Sequence, residues 1–211
     1  IAQLLLDYGA DINALDSYTR RPPIGWAAGG LPVRQFLLAK GAAVDNIMLA
    51  CRIGDLARVK AFLQADPDLL HTQTATWDDH GEGATLLHIA AAKGGAEMTQ
   101  FFLEQGLDPN AHGGWWQVRP LHWAVEKPEN MPVIQLLIEQ GADVNAKSGE
   151  KGISPLHYAV NAKNLSSIRY LAEHGADIQA KTDDGETALD WARHKGQTDI
   201  VNYLQQQGAM A

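Results

Sequence analysis

Five side chains with metal-binding or acid–base chemistry crowd into one stretch of the chain: His71, Asp78, Asp79, His80 and, further on, His112. Imidazole and carboxylate together are the groups of a metal site or a general base. Their spacing fits no recognised ligand pattern, and zinc requires three or four convergent ligands. No nucleophile elbow, phosphate loop or Cys–His pair accompanies them, and Gly29-Gly30 and Gly94-Gly95 read as loop glycines outside any phosphate-binding context. The sequence therefore assigns no catalytic residue, no metal ligand and no cofactor. Tryptophan is the more informative residue here. Trp77, Trp115 and Trp116 fall in polar, glycine-rich segments where exposure is expected. Each carries about 150–250 Å² of surface, which would either anchor a protein partner or pack against its neighbours and Pro109 where the long finger folds back.

These residues are positioned by a repeat. Gly-Ala-Asp-x-Asn-Ala occurs at Gly9–Ala14 and Gly141–Ala146, with variants at Gly106–Ala111 and Gly175–Ala180 and degenerate forms from Gly41 and Gly208. A second string, Thr-Pro-Leu-His-x-Ala, is represented by Arg119–Ala124 and Ser154–Ala159, with variants at Thr85–Ala90, Thr187–Ala192 and Pro22–Ala27. Gly106, Gly141, Gly175 and Gly208 stand 35, 34 and 33 residues apart. Hydroxyl-then-proline is an N-cap followed by a first-turn residue with no N–H to lose. Apolar residues at helical spacing follow, as in Val133, Ile134, Leu136, Leu137 and Ile138. Glycine closes that second helix, and Asp-x-Asn turns the chain into a hairpin-like finger.

Two strings in fixed order at a period near 33 resemble the ankyrin repeat. The resemblance covers nearly the whole chain. It implies an all-α fold: an ankyrin-repeat α-solenoid of helix-turn-helix units with β-hairpin-like fingers, about six units with the first incomplete. Residues 1–211 read as one array, with approximate units at 1–14 (partial), 15–44, 45–75, 76–111, 112–146, 147–180 and 181–211. Ile1 to Tyr8 reads as a second helix without its first. The Ala65–Leu70 segment, after a Gly-Asp-Leu helix start, is similar to stand-alone ankyrin arrays of the bacterial type. In ankyrin-like repeats the motif histidine bonds the adjoining turns, which implies a structural role for His88, His122 and His157, with Asp190 in the same place. Cys51 replaces the second alanine of a pair and reads as a small core residue.

Irregular units point to the site. The finger after Gly41 is nearly absent, and the one spanning 71–83 is long. Trp123, Tyr158 and Trp191 follow the motif histidine in successive units and form a column along the first helices. The resemblance implies a non-catalytic scaffold that binds another protein on its concave finger and inner-helix face. The expected contact residues are Trp77, Asp78, Asp79, His80, Trp115, Trp116, Trp123, Glu150 and Lys151. The alternative is a small-molecule-binding protein or enzyme, with a pocket between the 71–83 finger and the Trp115-Trp116 finger, floored by Trp123.

Composition narrows the partners. With 17 Lys+Arg against 25 Asp+Glu, the net charge is −8, which disfavours a nucleic-acid binder. The acidic residues are spread through the Gly-Ala-Asp turns. A single cysteine excludes an internal disulfide, and no apolar run reaches the roughly 18 residues of a membrane span. A cytoplasmic location is expected on these grounds.

Overall fold

The computed structural model describes residues 2–15, 23–26, 31–74, 83–114, 116–149 and 151–208. A short helix, α1 (Ala2–Asp7), is followed by paired helices. The pairs are α2 (Pro23–Trp26) with α3 (Leu31–Ala39), α4 (Ile47–Arg52) with α5 (Leu56–Ala65), and α6 (Leu86–Ile89) with α7 (Gly95–Glu104). They continue with α8 (Pro120–Ala124) and α9 (Met131–Glu139), α10 (Pro155–Asn161) and α11 (Leu165–Glu173), and α12 (Ala188–His194) and α13 (Thr198–Gln206). Each first helix packs on the next, α4 on α6, α6 on α8, α8 on α10 and α10 on α12. The result is a stacked all-α array of helix pairs. Among the described residues no extended strand forms. The fingers carry only single antiparallel bridges, Gln73 with Thr85, Gly113 with Val118 and Lys181 with Thr187.

Local chemistry sets the helix ends. Asn46, Asp55 and Asn164 accept from the backbone N–H groups of Leu49, Arg58 and Ser167, satisfying donors that the first turn leaves open. Pro120 and Pro155 occupy first-turn positions. The C-termini of α9 and α11 pass into Gly141 and Gly175, both at φ +88°, a left-handed conformation that a side chain strains. Before α7 the chain departs from the simple expectation. Ala90–Gly94 winds as a π-helical turn that runs directly into the next helix, so Gly94-Gly95 is a helix junction rather than an open loop.

Two polar ladders and two apolar clusters hold the stack. In each turn Asp108, Asp143 and Asp177 accept from the N–H two residues on. Asn110 then donates to Gly141 O and accepts from Asp143 N, and Asn145 repeats this with Gly175 O and Asp177 N. A buried ladder runs beside it, Asn130 to Ala91 O, Asn164 to Val125 O and Gln197 to Val160 O. The core extends from Ile47 to Leu204 and includes Phe102, Ile134, Leu137, Leu171 and Leu189, all fully buried. A smaller cluster of Ile24, Leu37, Ala42, Leu49 and Ile53 lies toward the N-terminus. Cys51 sits fully buried in the main core, as its place in the alanine pair led us to expect.

Candidate functional site

The motif histidines build the frame of the site. His122 accepts at Nδ1 from Arg119 N and donates from Nε2 to Ile153 O in the next finger. His157 pairs with Ser154 Oγ and reaches Glu186 O, and His88 pairs with Thr85 Oγ1 and reaches Val118 O. All three are fully buried. Burial lowers His122 to about 4, against smaller opposing contributions from its backbone hydrogen bonds. It also lowers His157. A neutral imidazole with one acceptor and one donor nitrogen is what these bonds require. Asp190 takes over in the last repeat, its carboxylate accepting from both the N–H and the hydroxyl of Thr187. Those bonds hold its carboxyl below the usual range.

Each histidine meets the aromatic ring of the following repeat edge-on. His88 meets Trp123 at 5.0 Å, His122 meets Tyr158 at 5.1 Å and His157 meets Trp191 at 5.2 Å between ring centres. The column inferred from sequence therefore exists, but its members differ in exposure. Trp123 is only 5% exposed. It is walled in by its neighbours and is withdrawn from the expected contact surface. Tyr158 and Trp191 remain partly open. Trp191 Nε1 donates to Glu186 Oε2 at 2.8 Å, which fixes the indole.

The fingers above this column are stitched together. Gly113 N donates to Val118 O and Gln117 N to Gly114 O, closing the tip that carries Trp116. Gly149 N donates to Trp116 O, and Asp183 N to Lys151 O. Trp116 is thereby held out from the fold with 58% of its surface exposed. Beneath it lies a cavity of about 320 Å³. Trp116, Ile153, Tyr158 and Trp191 form its apolar walls. Glu126, Lys151 and Asn161 supply its polar groups, with Ser148 at the base of the finger. Burial holds the Glu126 carboxyl above its usual range, although Lys93 and Lys127 pull it down. Burial and the neighbouring Glu126 charge raise the Tyr158 phenol to about 12, so it stays a neutral donor.

Several expected contact residues, Trp77, Asp78, Asp79, His80, Trp115 and Glu150, lie outside the described residues. Of the remainder, Trp116 and Lys151 come together at the cavity and Trp123 does not. The pocket expected between the 71–83 and Trp115-Trp116 fingers involves residues outside the described ones; the cavity under Trp116 lies one repeat further along and is walled by Tyr158 and Trp191. The reason is the repeat offset: a finger overhangs the first helix of the following unit. Glu126 and Asn161, near the ends of α8 and α10, were missed. Their only sequence signal is their place after a motif aromatic on the same helix face. No group of three or more metal-binding side chains converges among the described residues.

The model of a family described as ankyrin repeats (3 copies) matches residues 47–148 and 121–210. The palmitoyltransferase Hip14 of Drosophila melanogaster is 32% identical over 82 residues, 39% of this chain and 12% of that protein. The putative palmitoyltransferase ZDHHC13 of Danio rerio is 31% identical over 91 residues, 43% of this chain and 13% of that protein. The palmitoyltransferase AKR1 of Lachancea kluyveri is 32% identical over 87 residues, 41% of this chain and 11% of that protein. The match thus spans about an eighth of the length of these relatives and lies within the repeats. With the family match running from residue 47 to 210, the repeated strings and the stacked helix pairs have one explanation: the chain belongs to the ankyrin-repeat family.

Proposed function

We propose that the array is a non-catalytic scaffold that binds another protein across its finger and inner-helix face, with Trp116 and the cleft beneath it as the anchor. Ankyrin repeats generally mediate protein–protein interaction. The observation that carries the placement is a large apolar side chain left 58% exposed on a finger whose backbone is tied down on both sides. Held rigid, such a ring costs little further entropy to bury against a partner. The sequence-derived contact surface extends this anchor to Trp77, Asp78, Asp79, His80, Trp115, Glu150 and Lys151.

The relatives' names describe acyl transfer. The only cysteine in this sequence, Cys51, is fully buried and its thiol is pushed up by burial, so it is not poised to accept an acyl group. The acidic charge balance supports a protein over a nucleic acid. No described helix is long and apolar enough to cross a membrane, and we assign the array to the cytoplasm. A small-molecule ligand is the second reading, supported by a cavity volume at the lower end of ligand-site sizes.

The test is affinity capture with the whole chain, followed by measurement on the identified partner. Trp116→Ala, and separately Trp77→Ala with Trp115→Ala, should each weaken binding by about tenfold or more, as expected of a central aromatic anchor. Unchanged affinity in both would refute the placement.

A further inference from the structure

We propose that the cleft under Trp116 receives an alkylammonium group, the side chain of a lysine or methylated lysine presented by the partner protein. The proposal rests on the docking reading above and names the chemistry of its anchor. Three aromatic rings from successive repeats, Trp116, Tyr158 and Trp191, line one cavity. Aromatic faces attract a cation through their quadrupole, and several rings around one cation are the known means of holding an ammonium that cannot be fully hydrogen-bonded.

The rings are fixed before any guest arrives. Edge contacts from His122 and His157 orient Tyr158 and Trp191, and the bond to Glu186 locks the Trp191 indole. The carboxylate of Glu126 lies in the same wall. It makes no hydrogen bond or ion pair among the described residues, and burial already disfavours its charge. An incoming cation would add a counter-charge inside the cleft to the attraction that Lys93 and Lys127 already exert on Glu126. Those two lysines are not among the residues lining the cavity.

Lys151 is the opposing charge in the lining. It is exposed at a finger tip, on a flexible stem able to turn to solvent. A carboxylate lies close by: Asp183 donates its backbone N–H to Lys151 O, and its carboxylate lies beside Gly152. An apolar guest would use the rings but leave Glu126 unpaired. An anion would be attracted by Lys151 but would meet the aromatic faces and Glu126.

The probe pair is choline and its uncharged carbon isostere, titrated into the full chain while the indole N–H resonances of Trp116 and Trp191 are followed. Choline should bind roughly two- to thirtyfold more tightly than the isostere, the range of a cation held by aromatic faces. Glu126→Gln should reduce that preference, and Lys151→Ala should increase it. Extended peptides carrying lysine, trimethyllysine or norleucine at one position then identify the source, both cations being expected to bind more tightly than norleucine. Equal binding of choline and the isostere, or of lysine, trimethyllysine and norleucine peptides, overturns the proposal. If the probes do not discriminate while Trp116→Ala still abolishes partner capture, the cation assignment fails and the docking reading stands. If the charge preference is found but neither Trp116→Ala nor Trp77→Ala with Trp115→Ala weakens capture, the docking reading fails and the cleft remains a cation site.

Discussion

Acid should loosen this array through the buried imidazole of His122. The imidazole is fully buried, takes a hydrogen bond at Nδ1 and gives one at Nε2, and its folded value is lowered from 6.5 to about 4. Because the unfolded chain binds the proton more readily, stability rises with pH between those two values. The contribution is fully present above about pH 7 and is lost as pH falls from about 6.5 to 4. Near pH 5 the imbalance is about 30-fold, or about 2 kcal/mol, from this one residue. The physical event is that Nδ1–H would confront Arg119 N–H in a site closed to water. The assay is urea unfolding of the full chain between about pH 7.5 and 5, alongside His122→Gln, which retains hydrogen bonding but does not titrate. The wild type should lose about 2 kcal/mol more than the variant over that range. A titration of the His122 ring by NMR gives the midpoint directly. A midpoint near 6.5, or parallel pH profiles for the two proteins, would refute the reasoning.

Three further outcomes follow from the packing. In Gly113→Ala the added Cβ would lie 2.8 Å from His88 Cε1 and 2.9 Å from Ala84 Cα; because backbone cannot yield as a flexible side chain does, stability should fall by about 1–3 kcal/mol in chemical unfolding. Asn145→Ala removes both the donor to Gly175 O and the acceptor for Asp177 N; a loss of about 1–2 kcal/mol is expected, with faster amide exchange at Asp177, and unchanged exchange there would count against the ladder. Cys51 should resist alkylation in the folded protein and react on unfolding, since it is fully buried and its thiol is pushed up by that burial; rapid labelling under native conditions would contradict its place in the core.

The fold was legible because the repeat states the same local instructions several times. Gly141 at a helix end and Asp143-x-Asn145 in the turn act through backbone conformation or bonds two residues away, so their types and spacing suffice to read them. Ser154 before Pro155 marks a helix start as expected, but its hydroxyl bonds His157 instead of capping a backbone N–H. The roles of His122 and His157 followed from the family resemblance and were found in the predicted place. Trp123, Tyr158 and Trp191 illustrate what was not legible. They occupy equivalent positions in sequence, yet Trp123 is buried while Tyr158 and Trp191 open onto a cavity.

Sequence alone determined the period, the helix-ending glycines and the apolar faces of the second helices, because these depend on contacts within one unit or between like neighbours. The polar rungs between repeats came from the structure. Tertiary structure decided which aromatic rings are accessible and that Glu126 shares a wall with Trp116. Those depend on how a finger overhangs the next repeat. Gly149 N to Trp116 O and Asp183 N to Lys151 O set that overhang. Both bonds join backbone atoms more than thirty residues apart, between positions whose side chains carry no mark of the pairing.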